Sequence, residues 1–522
     1  MDSLFRRNIP LSNGDVTKEN ILEMLGTTCG LLEMMLRHDI VDRILTFETV
    51  GSTLVLLLLK VIERCMESSM KDLSFIKMAA GSRSRQPKEG SLALKKSLDI
   101  IYMFSEIPSF RERLANIPGV IQPILNLARN TGDNELRLQA LCTIANLACE
   151  RENVVMIMEH DDVFKTFVNE LNNIDIQKLG NGKNTESYCL AMENATEALG
   201  NLLVVESNQN KIASDNVTLK VLLQLFQKKG LSDKMYISLG KCFAYSVQAE
   251  ENALKVHALK GGIIFSTMLS IASDLSSDQM LACHALETIR HLIVEETSMK
   301  LVSTTDLLTN MTEVACMCDA NDERSFVATA VLKRISSYFH SQKESSPTYQ
   351  KKHQEMHSKV IDSLIVVARH VPKTFVGILQ LISESLADQT QREENCTAII
   401  SHQGIFEALQ NISEAIGSLD CDIATATILI NLCAVVEDRS VLACEEVPEI
   451  IGNLLNRTEF DRDLGQRLLF LINDLTSSLD CIKAMGNNEK LMVGLMKRSV
   501  ASSNTQDGLL VNNTISILMN KN

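Results

Sequence analysis

Apolar residues recur along this chain at i, i+3, i+4 and i+7, the spacing of helices with one buried face. No stretch of period-two alternation of comparable length appears. One helix pattern returns repeatedly, as KSLDIIYMF, ALCTIANLA, ATEALGNLL, SLGKCFAYS, ALETIRHLI, VLKRISSYF, ILQLISESL, TATILINLC and LLFLINDLT. Anchored on Ser97, Ala140, Ala195, Ser238, Ala285, Val331, Ile378, Thr425 and Leu468, successive copies lie 43, 55, 43, 47, 46, 47, 47 and 43 residues apart. A tenth copy lies near Asn512. Between anchors a second apolar helix recurs, as in NIPGVIQPILNLARN, LKGGIIFSTMLSIASD and SHQGIFEALQNISEA. Gly119, Gly262 and Gly404 fall at or just before its start, where a sharp turn between helices needs a small residue. One such unit cannot bury its apolar faces alone, whereas stacked neighbours build a continuous core.

This period and layout resemble the armadillo repeat family over roughly residues 90 to 500. The resemblance implies an all-α, right-handed superhelical solenoid with three helices per repeat, the third helices lining a groove. Spacings of 46 and 47 stretch the usual repeat, so some middle copies read as HEAT-like helix pairs. The expected organisation has a helical cap and basic loop over 1–90, an array of about nine repeats over 91–500, and a C-terminal cap over 501–522. The array is interrupted by an insertion at 174–187 and a polar linker at 341–354.

Composition narrows the function classes. Apolar residues make up 45% and charged residues 22%, which excludes disorder as the dominant state. The net charge of −14 repels phosphate backbones and argues against nucleic-acid binding. Fourteen cysteines without a repeated pair spacing, and an N-terminus without a secretory signal, point to a reducing compartment: cytoplasmic, with the nucleus as a second location. The most apolar run, TLVLLLLKVI (53–62), is too short to span a bilayer.

Catalytic and cofactor motifs are weak. GNGKNT (180–185) lacks phosphate-loop spacing, and HQEMH (353–357) lacks the glutamate position and third ligand of a zinc site. Cys316 and Cys318 have no second pair to complete a metal centre. No catalytic set, metal or cofactor is expected.

The helix containing ALCTIANLA carries more information. Leu141, Ile144 and Ala148 share one apolar face, and Leu136, Ala140, Thr143 and Leu147 share another. Between them runs a polar stripe of Glu135, Gln139, Cys142 and Asn146. In the repeat register the Asn146 position is occupied in turn by Asn146, Asn201, Ala244, His291, Ser337, Glu384, Asn431 and Asp474. Peptide-binding members of the armadillo family hold the backbone of an extended ligand with an asparagine here, a task suited to an amide that donates and accepts. The resemblance therefore implies a binding surface drawn from Gln139, Asn146, Asn194, Glu197, Asn201, His291, Asn431 and Asp474. Bonding between adjacent repeats is the alternative use of the same amides.

The chain has no Trp to accompany those asparagines, and Glu135, Glu197, Glu287 and Glu384 argue against a basic groove. The expectation is a non-catalytic scaffold for a protein or peptide partner with a basic or neutral segment. Residues 200–229 also resemble armadillo-type exchange factors and chaperones of small GTPases, which makes stimulation of nucleotide exchange the runner-up.

Overall fold

A computed structural model describes residues 88–131, 133–160, 163–173, 185–228, 231–274, 277–293, 302, 306–317, 323–341, 347–415, 418–457, 462–501 and 506–520. Most of the expected N-terminal cap and basic loop, the apolar run at 53–62, most of the 174–187 insertion and Cys318 lie outside the described residues. Among the described residues all regular structure is helical. The chain divides into two compact units, Met1–Ser246 and Val247–Asn522.

In the first unit α1 (Lys88–Glu106) precedes three helical triplets. These are α2 (Pro108–Ala115), α3 (Ile121–Asn130) and α4 (Asn134–Leu147); α5 (Arg151–Met158), α6 (Val163–Asn173) and α7 (Thr185–Leu202); and α8 (Glu206–Ala213), α9 (Asn216–Phe226) and α10 (Asp233–Ser246). The third helices α1, α4, α7 and α10 stack side by side in that order. Both apolar faces expected on α4 are buried: Ala140, Ile144 and Leu147 are fully inaccessible, and Leu136, Leu141 and Ala148 nearly so. Thr143 shares that burial because its Oγ1 donates to Gln139 O at 2.8 Å, satisfying the hydroxyl within the helix. Asp133 and Asp215 cap α4 and α9 by accepting backbone N–H groups of the first turn.

Among the described residues the second unit opens with α11 (Glu250–Ala272) and α12 (Gln279–Leu292), α13 (Leu307–Cys316) and α14 (Arg324–Ser341), and α15 (Pro347–His370) and α16 (Val376–Gln389). Triplets then resume with α17 (Glu393–Ile400), α18 (Ile405–Glu414) and α19 (Leu419–Val435). A 3-10 turn (Arg439–Leu442) leads into α20 (Glu446–Arg457) and α21 (Arg462–Leu475). The last triplet is α22 (Leu479–Gly486), α23 (Glu489–Ala501) and α24 (Gln506–Asn520). The third helices α12, α14, α16, α19, α21 and α24 again stack in order.

Three sequence readings change. Gly119 and Gly404 do adopt left-handed backbone, φ 81° and 96°, at the turn into the second helix. Gly262 instead lies inside the unbroken 23-residue α11, so no turn forms there. The 341–354 stretch is not wholly a linker, since α15 begins at Pro347, a favoured first-turn residue. The register of the seventh copy also shifts. Gln380 Nε2 donates to Asp420 Oδ2 at 3.1 Å across 40 residues, the relation that Lys95 has to Glu135. Gln380 therefore matches Lys95, and Ile382 rather than Ile378 matches Ser97. The 24-residue helix α15 lengthens this repeat locally, which an even spacing conceals.

Candidate functional site

Within each unit, side-chain bonds join the polar edges of several neighbouring third helices. At the C-terminal end, Asn146 Nδ2 donates to Ser105 Oγ at 3.0 Å and Asn431 Nδ2 donates to Thr390 Oγ1 at 3.0 Å. Asn201 is engaged from both sides: its Nδ2 donates to Cys149 Sγ at 3.4 Å, and its Oδ1 accepts from Lys241 Nζ at 2.7 Å. Nearer the N-terminal end, Gln139 Nε2 donates to Asp99 Oδ1 at 2.5 Å, and Asn194 Nδ2 donates to Cys142 Sγ at 2.8 Å and Leu190 O at 2.8 Å. Burial raises the Cys142 thiol to about 12, so it stays protonated and accepts only weakly.

Gln139, Asn146, Asn194, Glu197 and Asn201 thus come together on the adjacent helices α4 and α7 of the first unit. Asn431 and Asp474 share the adjacent pair α19 and α21 of the second unit, and Asp474 is exposed. His291, on α12, is separated from that pair by α14 and α16. Burial, aided by Arg290 and Arg334, lowers the His291 imidazole to about 4. Arg290 Nη2 lies 2.9 Å from His291 Nε2, and a guanidinium only donates, so Nε2 accepts and the ring is neutral. The corrected register puts the exposed Asp388, not Glu384, at the Asn146 position of α16.

The glutamates expected to make this face acidic are paired. Lys95 Nζ lies 2.6 Å from Glu135, Lys234 Nζ 2.8 Å from Glu197, and Arg290 Nη2 2.6 Å from Glu287, while Lys333 bonds Glu384. The pairing bases sit on neighbouring helices or one turn away, so the stripe reads as acidic only while each helix is considered alone. These pairs are partly exposed and individually weak.

A second asparagine series escaped the sequence reading. Asn153, Asn208 and Asn395 occupy the third position of the short first helices and are buried. Each Nδ2 donates to a carbonyl six residues earlier, at Leu147 (3.0 Å), Leu202 (2.7 Å) and Gln389 (3.1 Å). They satisfy carbonyls that the end of a third helix leaves without intrahelical partners. The available signal was the seven-residue interval separating Asn146 from Asn153 and Asn201 from Asn208.

Of the weak motifs, HQEMH lies within α15, where His357 Nε2 lies 2.6 Å from Gln389 Oε1. Gln389 Nε2 donates to Ser336 O at 3.0 Å, so its Oε1 must accept and His357 must donate. No group of three or more metal-binding side chains occurs among the described residues. No described helix is long and apolar enough to cross a membrane.

Stacked triplets of short, medium and long helices, with the third helices aligned edge to edge, define an armadillo-like repeat solenoid. The crystal structure of SYS-1, an armadillo-repeat protein, matches with a TM-score of 0.58 at 8% identity, covering 98% of this chain and 89% of that one. A structure concerning the phosphorylation switch that controls the interaction between cadherin and beta-catenin matches with a TM-score of 0.45 at 13% identity, covering 82% and 97%. The complex of SYS-1 with POP-1 matches with a TM-score of 0.44 at 9% identity, covering 96% of each chain. The fold assignment rests on the first of these. No family model matches the sequence, and no curated protein matches it in sequence.

Proposed function

We infer that the protein is a non-catalytic scaffold that binds a protein or extended peptide segment along the polar edge of its third helices. One observation carries the reading. Asn146 and Asn431 each commit an amide N–H to the preceding repeat, while their Oδ1 atoms take no bond from any described residue. A fixed amide with an open acceptor can receive a backbone N–H from a segment laid along the edge. The neighbouring pairs Lys95–Glu135 and Lys234–Glu197 leave little net charge beside it, which favours a neutral or mildly basic segment. In this reading residues 91–500 supply the array, the flanking segments cap it, and the protein works in the cytoplasm or nucleus.

The test is affinity capture from cell extract with partner identification, comparing the parent with an Asn146→Ala/Asn431→Ala variant. Lost capture by a variant that circular dichroism shows to be fully folded at the capture temperature supports the edge as the site; retained capture at full strength overturns it. Nucleotide release from a panel of small GTPases is measured in parallel. Accelerated release would replace passive scaffolding with exchange stimulation.

A further inference from the structure

Helix α11 departs from the other repeats in three independent ways, and all three point to one alternative arrangement. First, Gly261 and Gly262 occupy the middle of this 23-residue helix. Counted back from the ends of the second helices, they fall where Gly119 and Gly404 turn the chain in α2–α3 and α17–α18. Glycine is a poor residue for a helix interior and a good one for a turn. Second, Ile263 is 46% exposed, whereas the residues that follow the turn glycines elsewhere, Val120 and Ile405, are each 1% exposed. Third, Asn252 sits at the third position of α11, as Asn153, Asn208 and Asn395 do in their helices. Those three bond a backbone carbonyl; Asn252 is completely buried, and neither its Nδ2 nor its Oδ1 has a partner among the described residues.

A continuous α11 thus leaves a glycine pair in a helix, an isoleucine in water and an amide unsatisfied. A turn at 261–262 relieves all three. It frees the first half of the helix to reorient so that Asn252 can reach a carbonyl, and it lets Ile263 turn inward as its counterparts do. We propose that Gly261–Gly262 is a joint at which α11 exchanges between the continuous helix and a bent pair like α2–α3, making this repeat a conformational switch within the second unit. The continuous form is held by the apolar second half, where Ile264, Phe265, Met268 and Ala272 are buried and α12 packs alongside. The exchange is therefore between two packed arrangements rather than between order and disorder.

Amide hydrogen exchange on the full chain tests the joint. The amides of 259–266 are expected to exchange about tenfold faster than those inside α15, which is 24 residues long and has no glycine. A Cβ at Gly262 meets nothing within 4 Å in the continuous form, so Gly262→Ala favours that form and slows exchange at 259–266 about fivefold. Because the chain has no Trp, Ile263→Trp supplies a single optical reporter. Its emission is expected further to the blue when Gly262 is kept than when it is combined with Gly262→Ala, since bending buries the ring. Exchange at 259–266 as slow as in α15 and unaltered by Gly262→Ala would overturn the proposal, as would a Trp reporter equally exposed in both backgrounds.

Discussion

Asn146 Nδ2 lies 3.0 Å from Ser105 Oγ, 41 residues earlier in the chain, so the most conspicuous polar residue of α4 is a tie to the previous repeat. Ser105 in turn donates to Tyr102 O at 2.6 Å, which orients its hydroxyl oxygen to accept. The tie restrains Asn146 for any ligand, because an amide held by one hydrogen bond keeps its oxygen at a fixed direction. Asn146→Ala should lower unfolding stability by about 1 kcal/mol, the net worth of one such bond. Urea denaturation at constant m-value checks it.

The carbonyl straps of the first helices should matter more. Asn208 is 1% exposed, and its Nδ2 donates to Leu202 O at 2.7 Å. Asn208→Ala leaves a buried carbonyl without its partner and is expected to cost about 1–3 kcal/mol. Asn252→Ala removes an amide that has no partner among the described residues and should cost far less or raise stability. Paired denaturation curves of the two variants make the comparison, and equal losses would contradict the bonding described for these two residues.

Two titrating groups should tilt stability in opposite directions with pH. His291 is held near 4, below its usual 6.5, chiefly by burial. The unfolded chain therefore binds the proton more readily, so the stability His291 confers is present above 6.5 and is lost as pH falls towards 4. His291→Gln should remove that component from the pH profile of the melting temperature. An NMR titration should find the ring neutral at pH 6.

Asp422 behaves in reverse. Burial raises its carboxyl to about 6, although Arg457 Nη1, 3.1 Å away, pulls the other way. The folded state then binds the proton more readily, so Asp422 favours folding as pH falls from 7 towards 4, and that contribution is lost as pH rises through 6. In Asp422→Asn the difference from the parent should change over this window and be constant outside it. Arg457 keeps its bond to Ala415 O at 3.0 Å in the variant, which separates the titration from loss of the guanidinium's anchorage.

Close packing in the last repeats rests on Gly452. A Cβ there would meet Leu491 N at 2.6 Å, and backbone cannot move aside as a flexible side chain can. Gly452→Ala is expected to destabilise the second unit by about 1–3 kcal/mol, through forced separation of α20 and α23. A lowered midpoint in thermal unfolding followed by circular dichroism measures it.

The helices and their repetition were legible in the chain because burial of one face imposes a local period, and Ala140, Ile144 and Leu147 carry that period wherever the helix is placed. The turn glycines at 119 and 404 were legible for the same local reason: left-handed backbone selects the residue without a Cβ. Gly262 was misread because the identical local signal leads to a turn in α2–α3 and to a continuous helix in α11. The choice between them depends on what each half packs against. Asn146 was found, but its bond to Ser105 was not, since a partner 41 residues away is defined only once two helices lie edge to edge. The same holds for the charge of the third-helix edge. Glu135 and Glu197 count as acidic along the chain and as paired in space, because Lys95 and Lys234 belong to other helices. Periodicity is a property of one segment, whereas hydrogen bonds and ion pairs between repeats are properties of their stacking.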